Sequence, residues 1–97
     1  MFLARVVGNV VATVKDPALV GKKILVVQPL DKRWQPQHSY IVAVDSVGAG
    51  IGEMVLFCQG SSARLAPNLK EAPVDAVIIG IVDAVDVLGK QIYNAQT

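Results

Sequence analysis

Cysteine is nearly missing from this chain of 97 residues: Cys58 stands alone. One thiol cannot close an internal disulfide or hold a metal cluster by itself, and such sparing use fits a reducing, cytoplasmic setting. Histidine is equally scarce, with His38 the sole example, so neither H-x-x-H nor C-x-x-C metal spacing occurs and no metal or other cofactor is expected. Aromatic residues make up 5% and the net charge is +1. A binder of single-stranded nucleic acid needs a basic groove lined with stacking rings, and this composition supplies little of either. Near-neutral charge in an apolar chain also excludes disorder. Long hydrophobic runs are lacking too, although a membrane helix needs about 18–20 apolar residues in succession. The best stretch, residues 74–88, is broken by Asp75, Asp83 and Asp86. Residues 2–14 contain Arg5 and Asn9 and lack a basic leader, so they are expected to form a strand and not a signal peptide.

What the chain has is β-branched apolar residues. The hydrophobic fraction is 53%, and Val and Ile supply 24 of the 97 residues. Such side chains suit a pleated surface and lose rotamer freedom in a helix. The length allows a single domain over residues 1–97. A chain this small has much surface for its volume, so the apolar surplus predicts an oligomer in which neighbours cover part of it.

The periodicity predicts strands. Phe2, Ala4, Val6, Gly8, Val10, Ala12 and Val14 alternate onto one wholly apolar face, with Gly8 marking a bend or bulge. A second strand covers residues 22–30, with Pro29 at its end or on an edge. Residues 31–39 read as an exposed hairpin connection, residues 40–45 as a third strand and residues 53–59 as a fourth. Residues 60–66 resemble a short helix capped by Ser61 or Ser62 and limited by Pro67. Residues 74–87 read as a long fifth strand, apolar on both faces in its middle and therefore covered on both. A turn at residues 88–90 leads to a short terminal strand at residues 91–93. The expected fold is all-β: a small five-stranded closed barrel resembling the oligonucleotide-binding fold, with one short helix before the last long strand.

Catalytic patterns are not met. Gly48-x-Gly50-x-x-Glu53 follows a strand, but the dinucleotide-binding spacing requires a third glycine at the position of Glu53, and a strand follows in place of a helix. Gly60 and Ser62 fit G-x-S-x-G, yet Arg64 occupies the second glycine position. Asp45, Glu53, Asp75, Asp83 and Asp86 read as strand-end charges or ion-pair partners. Lys32, Arg33, Trp34 and Tyr40 cluster near one hairpin and keep a nucleic-acid-binding module open as the alternative to an assembly protein. The two differ in a measurable way: nucleic-acid affinity falls steeply with salt, whereas an assembly protein forms a discrete oligomer.

Four blocks, in order, carry a resemblance over nearly the whole chain. They are A-R-V-x-G-x-V-V-A-T from Ala4 to Thr13, D-S-V-G-A-G-I-G-E from Asp45 to Glu53, G-S-S-A-R from Gly60 to Arg64, and P-V-D-A to I-V-D between Pro73 and Asp83. Together they resemble the CcmL/EutN family, the pentameric vertex proteins of bacterial microcompartments. Residues 31–36, D-K-R-W-Q-P, depart from the glycine such proteins often carry there, which bears on partner contacts and not on the fold. The resemblance implies a non-enzymatic, cytoplasmic shell protein: a homopentamer at the five-fold corners, beside hexameric shell proteins, using its barrel neither for nucleic acid nor at a membrane. It further implies that Gly48, Ala49, Gly50 and Gly52 lie near a subunit contact or the five-fold axis. Ser61, Ser62 and Ala63 would crowd the same region, and Arg64 would bridge across the interface to Glu53 or Asp75.

Overall fold

The computed structural model describes residues 1–13, 16–60 and 75–96. Seven strands account for most of them: β1 (Phe2–Asn9), β2 (Lys23–Pro29), β3 (Ile41–Asp45), β4 (Met54–Gln59), β5 (Ala76–Ile81), β6 (Ala84–Val87) and β7 (Lys90–Asn94). The first five close into a barrel in the order β1-β2-β3-β5-β4. All ladders are antiparallel except β3 with β5, which is parallel. This is the small five-stranded closed barrel expected from the sequence. The short helix expected at residues 60–66 lies outside the described residues, save for Gly60. Among the described residues the helical segment is a 3-10 turn, Pro17–Leu19, whose N-cap Asp16 accepts the Ala18 N–H at 2.8 Å. None is long and apolar enough to cross a membrane.

Strand alternation sorts the apolar residues into two clusters. Ala4 and Val6 of β1, Leu25 and Val27 of β2, Ala43 of β3, Val55 and Phe57 of β4, and Ala76 and Ile78 of β5 fill the interior. Each of these side chains removes apolar area from water, worth roughly 1.5–3 kcal/mol for the larger ones. The opposite faces of β3 and β5 place Val44 and Val77 in a second cluster outside the barrel, covered by Ala18 and Leu19 of the 3-10 turn and by Cys58 and Ile79. The expectation that β5 is covered on both faces is therefore met within one chain. Cys58 is a half-buried free thiol of that outer cluster.

Two expectations change. The first strand ends at Asn9, short of the apolar even positions Val10 and Ala12, and Val14 lies outside the described residues. The register against β2 slips between Val6 and Gly8, leaving Val7 as an extra residue. This is the bulge that Gly8 predicts, and the bulge ends the strict alternation. Val10 and Val11 beyond it are exposed. The long fifth strand is also two strands. Ile81 pairs with Val55, and the Val82 N–H reaches the Met54 carbonyl at 2.8 Å. Met54 is where β4 begins, so no partner backbone continues beyond it. The chain leaves the barrel there, and β6 finds its ladder on β7 in a separate two-stranded sheet.

Candidate functional site

The loop joining β3 to β4 is organised by one carboxylate. Asp45 ends β3, and its side chain is 1% exposed. Oδ1 accepts the Val47 N–H at 3.1 Å and Oδ2 accepts the Ala49 N–H at 2.8 Å. Lys23 Nζ stands 3.8 Å from Oδ2 and donates to the Ala49 carbonyl. These bonds turn the loop inward, so that Ala49 is fully buried among the interior residues. Ser46 Oγ ties the same loop to β5 by donating to the Ile78 carbonyl at 2.6 Å.

Past Ala49 the loop closes on itself. The Gly50 N–H donates to Glu53 Oε1 at 2.6 Å, and the Glu53 N–H returns to the Gly50 carbonyl at 3.2 Å. The Gly52 N–H donates to the Val6 carbonyl at 2.8 Å, while the Gly52 carbonyl accepts Arg5 Nη1 at 2.7 Å. Gly48 and Gly52 have φ of +81° and +92°, which L side chains adopt only with strain. The loop's own turns therefore account for both. Gly50 is different. Its backbone is not left-handed, and an added Cβ would meet only Glu53 Oε1 at 3.4 Å. Its own chain gives only a weak reason for glycine there.

Gly50 instead forms part of an open groove of about 430 Å³, whose apolar wall is Val10, Ile24 and Ile51 and whose rim carries Lys22 and Lys23. Ile51 is 65% exposed. On another side of the barrel, the β6–β7 hairpin stands over a cleft lined by Leu3, Leu30, Trp34, Met54, Ile92 and Tyr93. The Arg5 guanidinium lies 5.6 Å from the Tyr93 ring centroid, a cation–π contact that joins β7 to β1. Trp34, expected in a binding patch with Lys32, Arg33 and Tyr40, thus lines the cleft beside the hairpin. No group of three or more His, Cys, Asp or Glu side chains gathers among the described residues.

Residues 1–83 match the family model described as ethanolamine utilisation protein EutN/carboxysome. The chain belongs to the EutN/CcmL family. The carboxysome shell vertex protein CcmL of Gloeobacter violaceus is 47% identical over 94 residues, covering 97% of this chain and 94% of that protein. The bacterial microcompartment shell vertex protein EutN of Salmonella typhimurium is 45% identical over 94 residues, covering 97% of this chain and 95% of that protein. Among solved structures, Gloeobacter violaceus CcmL superposes with a TM-score of 0.95 at 45% identity, covering 100% of both chains. The GrpN pentameric microcompartment shell protein from Rhodospirillum rubrum gives a TM-score of 0.82 at 44% identity, covering 91% of this chain and 100% of that one.

Within this EutN/CcmL chain, the residues singled out from sequence take different places. Gly48, Ala49, Gly50, Gly52 and Glu53 form one continuous loop at the end of the barrel. Ala49 has its side chain inside its own barrel, which withdraws that side chain from any subunit surface. Asp75 is exposed and lines another depression, with Leu19, Ile24, Val42 and Val44. Its carbonyl accepts the Gly60 N–H at 2.7 Å. Ser61, Ser62, Ala63 and Arg64 lie outside the described residues. Sequence reasoning missed Asp45 as the organiser of the loop. The signal was present, since an Asp ending a strand before Ser and Gly is placed to accept backbone N–H groups two and four residues on.

Proposed function

We propose that this chain is a structural vertex subunit of a bacterial microcompartment shell, with residues 1–97 as one vertex-protein domain. It forms a homopentamer and carries out no catalysis. Five copies close a ring through one heterologous contact repeated around the axis, leaving no unpaired end. A flat hexagonal layer cannot close without five-fold points, so the pentamer supplies curvature. Its neighbours are hexameric shell proteins, its setting is the bacterial cytoplasm, and it binds neither nucleic acid nor a membrane.

The likeness to named shell vertex proteins along nearly the full chain carries this reading. Gly50 supports it from the chain's own side, because an open, glycine-floored groove gives another backbone room to approach. Ser61, Ser62 and Ala63 keep the small side chains that a crowded contact requires. Arg64 pairs across that contact with Glu53 or Asp75 of a neighbour.

Native mass spectrometry of the full chain tests this directly. The expected mass is five times 10.3 kDa. A monomer or dimer that binds oligonucleotides with steeply salt-dependent affinity would overturn it. Gly50→Trp is expected to leave the barrel folded and to abolish the pentamer. A native-like pentamer from that variant would show that close approach at Gly50 is not needed.

A further inference from the structure

We infer that the tip of the β6–β7 hairpin is the inter-subunit knob, with Leu88 seated in the Val10–Ile24–Ile51 groove of a second copy of this chain. The inference rests on the pentamer proposed above and names the contact that closes it. Three observations lead here. A two-stranded sheet is marginally stable in water by itself, and β6–β7 has no ladder to the barrel, which it meets through side chains such as Tyr93 beside Arg5. Val87 pairs with Lys90, so the turn has two residues, and both are left-handed, Leu88 at φ +51° and Gly89 at φ +78°. That is the type I′ geometry, which selects Asn, Asp or Gly at its first position. Leucine is a poor choice for such a turn, and here it is 101% exposed. The chain holds an unfavourable backbone conformation to present an apolar side chain that touches nothing of its own.

The groove supplies what the tip lacks. Its wall is apolar, Gly50 in its lining carries no side chain, and Lys22 adds a cation, whereas Lys23 is already held by Asp45 and the Ala49 carbonyl. Exposed Asp86 lies two residues before Leu88, is opposite in charge to Lys22, and sits across the hairpin from Gln91 and not from Lys90. Leu88 cannot occupy the groove of its own chain, since it is fully exposed. Knob and groove on different surfaces of one chain make a head-to-tail contact, the type that closes into rings.

Two measurements on the full chain test this. In a Cys58→Ala background, the Leu88→Cys/Ile51→Cys pair is treated with a short bifunctional thiol reagent and run on denaturing gels. The expected result is a covalent ladder ending at five chains, with neither single variant extending beyond two. Leu88→Asn is then compared with the parent by native mass spectrometry across a dilution series. Asparagine suits the turn better, so a purely local role predicts an unchanged or firmer assembly. The knob predicts at least a tenfold weaker one, roughly what burial of a leucine side chain contributes, with barrel unfolding unchanged. A parent pentamer that shows neither the ladder nor the weakening overturns the knob while leaving the vertex reading intact. A monomeric parent overturns the vertex reading and the knob with it.

Discussion

Val55 and Phe57 are covered on every side by their own chain, whereas Leu88 at the end of β6–β7 touches none of it. The barrel fills its own interior. Its alternating strands bury one face inside and, on β3 and β5, a second face under the 3-10 turn. Even its glycine loop is secured by bonds from Asp45, Glu53, Arg5 and Lys23. The hairpin obeys another logic: short strands, no ladder to the barrel, and an apolar residue in a strained turn at its tip. A self-contained unit and an incomplete one are joined at Val82–Asp83. The difference teaches that the exposed apolar residues are of two kinds: Phe2, Val11, Val42 and Ile51 belong to the barrel and its loops, and Leu88 to a turn at the end of the hairpin.

Substitutions that break the barrel separate its contribution from the hairpin's. The largest effect is expected at Phe57, 1% exposed in the interior, with its ring tilted against Phe2 at 5.4 Å between centroids. Phe57→Ala should cost about 3–5 kcal/mol in urea unfolding, with the pentamer lost as a consequence. Asp45→Ala comes next, because it strips the acceptor from the Val47 and Ala49 N–H groups. A loss of about 2 kcal/mol is expected, seen as a lower urea midpoint at unchanged slope. Gly52→Ala forces a methyl group onto a backbone with φ +92° and should cost about 1–2 kcal/mol. All three need a dilution series, since assembly adds to apparent stability.

The smallest effect on the folded chain is expected at the hairpin tip. Leu88→Asn should change monomer unfolding by less than about 0.5 kcal/mol, as exposed sites usually do. Hydrogen exchange sharpens the contrast further. In dilute, dissociated chains the β6–β7 amides should exchange far sooner than those of β1, β2 and β4. On assembly the protection of β6–β7 should rise the most. Equal protection in both regions at all concentrations would mean that the hairpin is stable without a neighbour.

The barrel was legible because period-two alternation reports directly on which face meets the core. Ala4, Val6, Val55 and Phe57 all follow it. The bulge at Gly8 was legible for a related reason, since a glycine within such an alternation has no side chain to pack. The division of residues 74–87 was not, because the hydrophobic pattern continues smoothly through Val82, Ala84 and Val85. Only the end of β4 at Met54 decides where β5 stops. The role of Asp45 escaped for another reason: a strand-end carboxylate looks the same in sequence whether it is solvated or holds a loop.

Composition and alternation alone determined an all-β chain, a small closed barrel and an excess of apolar surface, because burial at period two is a local property of the chain. The tertiary structure decided the rest. It took Ala49 into the interior, opened a groove beside Gly50 and set Leu88 out at the end of a hairpin with no ladder to the barrel. Those outcomes depend on which strand ends where and on what lies beside it, and neither is written in any one segment. One thiol and one imidazole left little for the usual chemistry at the outset, and the fold leaves part of the surplus of valine and isoleucine exposed, Val11, Val42 and Ile51 among it.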